Sequence, residues 1–237
     1  NITCSKHNIP YLGCYSACAS FNEALIILAN MIDTKRIKVG LGLTSSHRNV
    51  AERQFRYPIE YGSPRLKRST LTSTGSVGVI LSLEGKIKVE SSTIGCVVNY
   101  GITDVNNMGA VMAPAAYDTL KKHLKELKRD ISYYDLILTG DLGRVGLNLL
   151  KDMLKQDGLE INNLLDAGAI LYQEEDFKVS GASGPVTLPL VFFNKIISSK
   201  KYHKILLLAT GALHSTTTTN QKEEIPSISH AVSLEVL

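Results

Sequence analysis

The fold is decided by the stretch Tyr15-Ser-Ala-Cys18, which is followed by an apolar segment to about residue 34 and then by Val39-Gly-Leu-Gly-Leu-Thr44. Alanine, leucine, isoleucine and methionine fill most of the apolar segment, which predicts a helix buried on most of its faces. Valine, leucine and threonine alternating with glycine predict a strand after it. A tight turn that leads into a buried helix and then a strand is typical of an α/β fold.

The same order of elements returns later in the chain. Gly181-Ala-Ser-Gly184 precedes an apolar helical segment, which is followed by the strand Ile205-Leu-Leu-Leu-Ala-Thr210. Placing Thr44 on Thr210 gives an offset of 166 residues (210 − 44), and that offset also places Cys18 on Gly184. This repeat predicts two α/β halves related by a pseudo-twofold axis, with a site where the two helix N-termini meet.

Helices and strands alternate along most of the chain, which predicts an α/β fold with mixed, mainly parallel sheets. We assign residues 1–95 to the first half and residues 96–237 to the second. The first copy of the repeat has little chain before its turn, whereas the second has helices and a strand there, so we expect the N-terminal half to be incomplete. Residues 75–84 and 86–92 are predicted to form a hairpin about Gly85.

Composition limits the classes of partner. Of the 237 residues, 44% are hydrophobic and 20% are charged, which is ordinary for a soluble globular protein. The net charge of +4 is modest and no Lys/Arg block alternates with aromatic residues, so no nucleic-acid partner is expected. No apolar run reaches the roughly 18 residues that a membrane span needs. The cysteines form neither a CxxC pair nor a zinc-like cluster, so we predict free thiols and no metal site at Cys4, Cys14, Cys18 and Cys96.

Cys18 is the position best placed for chemistry. It stands at the start of a helix, behind the small residues Ser16 and Ala17, and the positive end of the helix dipole favours a thiolate. A small buried core cysteine suits the same position, and a nucleophile also needs a base and an oxyanion site. Both interpretations are open from position alone.

The segment Gly13-Cys-Tyr-Ser-Ala-Cys-Ala-Ser-Phe21 resembles the nucleophile turn of the thiolase superfamily, especially that of β-ketoacyl synthase III enzymes. The resemblance implies a histidine, with a second histidine or an asparagine, contributed by the second half. Thr139-Gly-Asp-Leu-Gly-Arg144 matches the context of the histidine, but Asp141 stands where the base would be. Ser180-Gly-Ala-Ser-Gly184 matches the other loop and has no asparagine. Because a carboxylate raises the pKa of a neighbouring thiol, we expect no catalytic residues.

Longer blocks are similar to the stage V sporulation protein AD family of spore-forming bacteria, over nearly the whole chain. The blocks are Thr44-Ser-Ser-His47, Ala51-Glu-Arg-Gln-Phe-Arg-Tyr-Pro58, Glu60-Tyr-Gly62, Asn107-Met-Gly-Ala-Val-Met-Ala-Pro-Ala-Ala116, Thr139-Gly-Asp-Leu-Gly-Arg-Val-Gly146, Ala209-Thr-Gly-Ala-Leu213 and Ile225-Pro-Ser-Ile-Ser-His-Ala-Val-Ser-Leu-Glu235. This resemblance implies a thiolase-like fold with duplicated αβαβα layers and the binding of dipicolinic acid during its uptake into the developing spore. It also implies a homodimer, with other channel proteins as partners, peripheral to the spore inner membrane on its cytoplasmic side.

Dipicolinic acid is a flat pyridine with two carboxylates, often carried with calcium, and binding it needs planar cationic forks, helix-end N–H groups and a slot for the ring. The candidate ligand-binding residues are Cys18, His47, Arg53, Arg56, Asp141 and Arg144. Arg53 and Arg56 equally suit a salt bridge with Glu52 or Glu60. Arg144 also suits a helix surface, and His47 a strand end. We interpret His214 and His230 as structural. Asp141 could hold an arginine or lie near calcium, although one carboxylate is a poor calcium site by itself; no cofactor is predicted.

Three functions therefore compete. The leading one is non-enzymatic binding of dipicolinic acid. The alternative is a β-ketoacyl synthase III-like acyltransferase that uses Cys18 on acyl thioesters. A third is a scaffold that only holds partner proteins.

Overall fold

A computed structural model describes residues 2–55, 65–173 and 178–237, apart from the side chains of 53–55. The helices are α1 (Ile2–Lys6), α2 (Ser20–Asp33), α3 (Arg48–Phe55), α4 (Met108–Leu127), α5 (Gly143–Gln156), α6 (Ala167–Leu171), α7 (Thr187–Val191, continued by a π-helical turn over Phe192–Ile197) and α8 (Thr216–Asn220), with a 3-10 turn over Ile131–Tyr133. The strands are β1 (Val39–Ser46), β2 (Thr70–Thr72), β3 (Gly75–Ser82), β4 (Ile87–Ile94), β5 (Leu136–Thr139), β6 (Leu164–Asp166), β7 (Gly181–Ser183), β8 (Lys204–Ala212) and β9 (Ser227–Val236). None of the helices in the described ranges has the length and apolar character needed to cross a membrane.

A five-stranded sheet has the order β4-β9-β8-β5-β6, with β4 from the first half and the other four strands from the second. β5 runs parallel to β6 and β8, whereas β9 runs antiparallel to β8 and β4. The first half contributes the antiparallel ladder β1–β3, and the short parallel ladder β2–β7 joins the two halves. The predicted α/β class with mixed sheets is confirmed, although the long ladders are antiparallel.

The predicted hairpin about Gly85 is wrong. β3 pairs with β1, and β4 pairs with β9 near the C-terminus. This pairing lets Ile87 and Val89 of β4 pack against the core cluster that surrounds α2. Burial of these side chains in a long-range pairing outweighs the local signal of a glycine between two apolar runs.

The core has two layers of side chains, one on each face of the large sheet. On one face, Phe21 and Leu25 of α2 pack with Leu207 of β8. On the other face, Leu120 of α4 packs with Leu206. α2 therefore packs between β1 and β8, which explains why most of its residues are apolar.

The structure corrects the register of the sequence repeat by one residue. On β1, Gly40 faces α2, because a Cβ at that position would contact Leu28 of the helix. An offset of 166 pairs Gly40 with Leu206, which faces the other way, towards α4. Successive side chains alternate across a strand, so an odd offset is required. An offset of 167 (184 − 17) satisfies this and pairs Ala17 with Gly184, whose φ angles are +49° and +108°.

The outer face of the β1–β3 ladder is apolar and exposed. Val39, Leu41 and Leu43 of β1 are 62%, 58% and 69% exposed, and Ile80 of β3 is 71% exposed. The matching face of β8 in the second half is buried under α4. The two halves are therefore covered unequally over the described residues.

Candidate functional site

A cavity of about 480 Å³ lies where the turn before α2, the end of β1 and the start of α4 meet. Most of its lining side chains are small hydroxyl groups or apolar groups. Its ionisable lining residues are Cys14, Tyr15, Cys18, Glu52, Arg65, Asp141 and His214. A volume of this size suits a small organic ligand.

Cys18 lies in the turn that leads into α2, at the position predicted from the sequence. Ala17 before it has a φ of +49°, and the N–H of Ala19 donates to the carbonyl of Ser16 at 3.0 Å. The turn packs directly on β8, where a Cβ on Gly211 would collide with the Ser16 carbonyl. This tight packing holds Cys18 at the cavity wall.

The surroundings of Cys18 keep its thiol protonated. Burial raises the pKa of the Cys18 thiol well above its usual range, and the adjacent Asp141 carboxylate raises it further through its charge and as a hydrogen-bond acceptor. The N–H of Gly184 and the hydroxyl of Ser183 act in the opposite direction. The helix dipole is outweighed, so the thiol is not primed as a nucleophile.

Asp141 follows β5 at the base of the cavity and is 1% exposed. One carboxylate oxygen accepts hydrogen bonds from the Ser183 hydroxyl and the Gly184 N–H, both at 3.1 Å. The other oxygen accepts a hydrogen bond from the Thr210 hydroxyl at 2.9 Å. Burial raises the pKa of Asp141, while these contacts and the Cys18 thiol lower it. The structure thus brings Asp141 and Cys18 together and uses Asp141 to join the ends of β5, β7 and β8.

A second buried carboxylate, Asp166, holds the loop that carries Asp141. It accepts hydrogen bonds from the N–H groups of Leu142 and Gly143, both at 2.9 Å, and from the Thr139 hydroxyl at 2.8 Å. Burial raises the pKa of Asp166 to about 6, so the carboxylate is ionised at neutral pH. The sequence analysis missed this residue. Its only sequence signal is that of an aspartate before a short helix, which indicates an N-cap and no more.

The structure does not bring Arg144 to the cavity. Its guanidinium donates to the backbone carbonyls of Val179, Ser180 and Tyr172 at 3.1, 2.9 and 3.0 Å, and to that of Ala169 at 3.4 Å. The carbonyls of Val179 and Ser180 lie just before β7, and those of Ala169 and Tyr172 lie within and just after α6. Arg144 therefore connects these segments through hydrogen bonds to their backbone.

The other predicted cationic residues lie beside the cavity or outside the described residues. His47 follows β1 and is exposed, on a shallow depression that shares Ser45 and Ser46 with the cavity. Arg53 belongs to α3, but its side chain lies outside the described residues, as does the whole of Arg56. A role for these three residues in binding stays a prediction.

Five ionisable residues of the cavity wall were not predicted as ligand-binding: Cys14, Tyr15, Glu52, Arg65 and His214. Arg65 pairs with Glu52 at 2.9 Å, whereas the pairing expected for Arg53 and Arg56 lies outside the described residues. His214 also lines the cavity; its Nδ1 lies 3.3 Å from the Thr219 hydroxyl, and burial lowers its pKa. Nothing in the sequence between β1 and β2 distinguishes Arg65 from the other cations of that segment. Within the described ranges, no three His, Cys, Asp or Glu side chains group closely enough to hold a metal ion.

The duplicated halves, with a cysteine at the buried helix of their junction, define a protein built on a thiolase-like scaffold. Solved condensing enzymes share this fold. For 3-oxoacyl-[acyl-carrier-protein] synthase III of Aquifex aeolicus, the TM-score is 0.57 at 14% identity, over 99% of this chain and 70% of that one. For synthase III of Pseudomonas aeruginosa, the TM-score is 0.58 at 11% identity, over 93% of this chain and 65% of that one. Identities this low show the fold alone.

Sequence comparison then gives the family. The family model for Stage V sporulation protein AD matches residues 1–235. Stage V sporulation protein AD of Bacillus subtilis (strain 168) is 42% identical over 232 residues, which are 96% of this chain and 69% of that protein. The chain belongs to the Stage V sporulation protein AD family, and this membership supports a role in sporulation.

Proposed function

We propose that this protein binds dipicolinic acid in the cavity at Cys18, without catalysing a reaction, and serves its uptake into the developing spore within an inner-membrane channel complex. Membership of a sporulation family supports the biological setting. The chemistry of the cavity supports a small, flat, anionic ligand. Met108, Met112 and Leu43 offer apolar surface to a ring, and Arg65 offers a guanidinium to a carboxylate.

The observation that carries the proposal is the pairing of Cys18 with Asp141. A covalent mechanism needs a thiolate and a base that accepts its proton. Asp141 instead raises the pKa of Cys18 and is itself engaged by three protein donors. A cavity whose thiol stays neutral is suited to holding a ligand rather than to forming a thioester.

Isothermal titration calorimetry of the purified protein with pyridine-2,6-dicarboxylate tests the proposal. We expect saturable binding that is about tenfold or more stronger than for pyridine-2-carboxylate, because the second carboxylate adds charge-assisted hydrogen bonds. Titrations with and without calcium chloride show whether the calcium complex is the preferred form. Absence of binding by a protein that unfolds cooperatively, or equal affinity for the monocarboxylate, would contradict the proposal.

An acyltransferase acting through Cys18 is the second candidate. It is favoured by the place of Cys18 on the cavity wall at the start of a buried helix, on a fold shared with synthases. Incubation with an acyl thioester followed by intact-protein mass spectrometry separates the two functions. We expect no acyl adduct on the unchanged protein. An adduct that disappears in Cys18→Ser would establish the acyltransferase instead.

We also propose that two copies associate through the exposed apolar face of β1. We place the dimer at the cytoplasmic side of the spore inner membrane, as a peripheral protein that contacts other channel proteins. The support is the exposed row Val39, Leu41 and Leu43, which would be costly to leave in water. Analytical ultracentrifugation should show a dimer for the unchanged protein and a monomer for Leu41→Glu. A monomer at all concentrations would contradict the self-association.

A further inference from the structure

We propose that Arg65 receives a carboxylate of the bound anion, and that Glu52 occupies this guanidinium when the cavity is empty. The proposal rests on the function proposed above and adds the residue that recognises the charge of the ligand. It makes Glu52 an internal competitor of the ligand.

The first observation is the place of the ion pair. Among the described residues that line the cavity, Arg65 is the one lysine or arginine. A guanidinium nitrogen of Arg65 lies 2.9 Å from a carboxylate oxygen of Glu52, and the two side chains are 22% and 10% exposed. The pair is therefore mostly removed from bulk water but open to the cavity. The planar guanidinium matches any carboxylate with two parallel N–H groups, so a ligand can take the place that Glu52 holds.

The second observation is that Glu52 has another partner. Its second carboxylate oxygen accepts the backbone N–H of Thr72 at 3.3 Å. Thr72 is the register partner of Ser183, which donates to Asp141. Glu52 thus keeps a hydrogen-bond donor when Arg65 turns to the ligand. The ion pair and the Cys18–Asp141 contact both line the same cavity.

The charges of the cavity determine how the exchange of Glu52 for the ligand at Arg65 affects binding. Glu52 and the buried Asp141 repel an entering anion, and Arg65 offsets this only when it contacts the anion directly. Without Glu52, the guanidinium of the empty cavity would lose the carboxylate that pairs with it within the described part of the chain, which is costly because the side chain is mostly removed from bulk water. Glu52 therefore stabilises the empty protein and weakens ligand binding by the same contact.

Three glutamine variants test the proposal by calorimetric titration with pyridine-2,6-dicarboxylate. Arg65→Gln should weaken binding about tenfold or more, because a charge-assisted hydrogen bond is lost. Glu52→Gln should tighten binding about three- to tenfold, because the competing charge is removed. Arg68→Gln is the matched control: Arg68 pairs with Asp104 at 3.0 Å, but its side chain is 45% exposed and does not line the cavity. Its affinity should stay within about twofold of the unchanged protein.

The outcomes distinguish a failure of the roles proposed for Arg65 and Glu52 from a failure of the proposed function. Diacid binding that is equal in the unchanged protein and in folded Arg65→Gln would overturn the role of Arg65 and leave the proposed function standing. Weaker binding by Glu52→Gln would overturn the competitor role. No binding by the unchanged protein would overturn the proposed function and this inference with it. If Arg65→Gln melts abnormally, Arg65→Lys replaces it; we expect reduced affinity because the planar fork is lost, and undiminished affinity would overturn the role of the guanidinium.

Discussion

Replacement of Asp166 by alanine should lower the free energy of unfolding by about 3–5 kcal/mol. Asp166 is 1% exposed and its carboxylate accepts four hydrogen bonds. One oxygen accepts from the N–H groups of Gly143 and Ala169 at 2.9 and 2.8 Å. The other accepts from the Leu142 N–H at 2.9 Å and from the Thr139 hydroxyl at 2.8 Å. Each buried donor left without an acceptor costs about 1–3 kcal/mol, and relaxation keeps the total below the simple sum.

Replacement of Asp166 by asparagine should cost less, about 1–2 kcal/mol. The amide oxygen can take the place of the carboxylate oxygen that serves Gly143 and Ala169. The amide nitrogen then faces the Thr139 hydroxyl, which can accept from it while donating to the carbonyl of the neighbouring strand at 3.2 Å. Only the Leu142 N–H is left without its acceptor. The difference in the free energy of unfolding between the two variants therefore measures the hydrogen bonds that the retained oxygen accepts from Gly143 and Ala169.

Urea denaturation at neutral pH, followed by circular dichroism, gives both values. Asp118→Ala and Asp118→Asn are matched controls on the exposed surface of α4 and should stay within about 0.5 kcal/mol of the unchanged protein. An asparagine variant at position 166 as unstable as the alanine variant would refute the reasoning. So would an alanine variant within about 1 kcal/mol of the unchanged protein.

Asp141→Asn removes the charge that raises the pKa of Cys18, so alkylation of the thiol by iodoacetamide at mildly alkaline pH should become faster; an unchanged rate in mass spectrometry would contradict this. Gly211→Ala drives a methyl group against the Ser16 carbonyl and should lower the free energy of unfolding by about 1–3 kcal/mol in urea denaturation, whereas an unaffected midpoint would refute the close packing of the turn. Burial lowers the pKa of His123 from 6.5 to about 4, so between these pH values the unfolded chain binds a proton that the folded protein does not. Stability should fall as the pH drops through this window, by at most about 3 kcal/mol from this group. His123→Gln should flatten the slope, and an equal slope would show that other groups cause it.

The contact of Cys18 with Asp141 sets the protonation of the thiol on a fold that is shared with synthases. In this chain the second half places a carboxylate at the cysteine, and two hydroxyls and an N–H group fix that carboxylate. The result is a neutral thiol at a cavity wall. Under the proposed function, this thiol lines the binding cavity and takes no part in a covalent step.

Local sequence signals predicted elements well where one pattern dominates. The apolar run after Cys18 gave α2 to within two residues of its start, and the strands β1 and β8 were placed from their composition. Local signals failed where a long-range pairing outweighed the local pattern. The hairpin about Gly85 was wrong because β4 finds a better partner in β9 than in β3. The repeat was shifted by one residue because equal residue types were aligned without knowledge of which face is buried.

The duplicated α/β plan and the place of Cys18 at the junction can be predicted from the sequence, because they depend on residue types in a fixed local order. The same holds for the aspartate that stands where a base was expected. The roles of these residues depend on contacts that form only in the folded protein. In the folded protein, burial and Asp141 raise the pKa of the Cys18 thiol. Arg144 donates hydrogen bonds to backbone carbonyls, and Arg65 forms an ion pair with Glu52 at the cavity. Burial, charge and hydrogen-bond partners arise between residues far apart in the chain, so no local pattern could have supplied them.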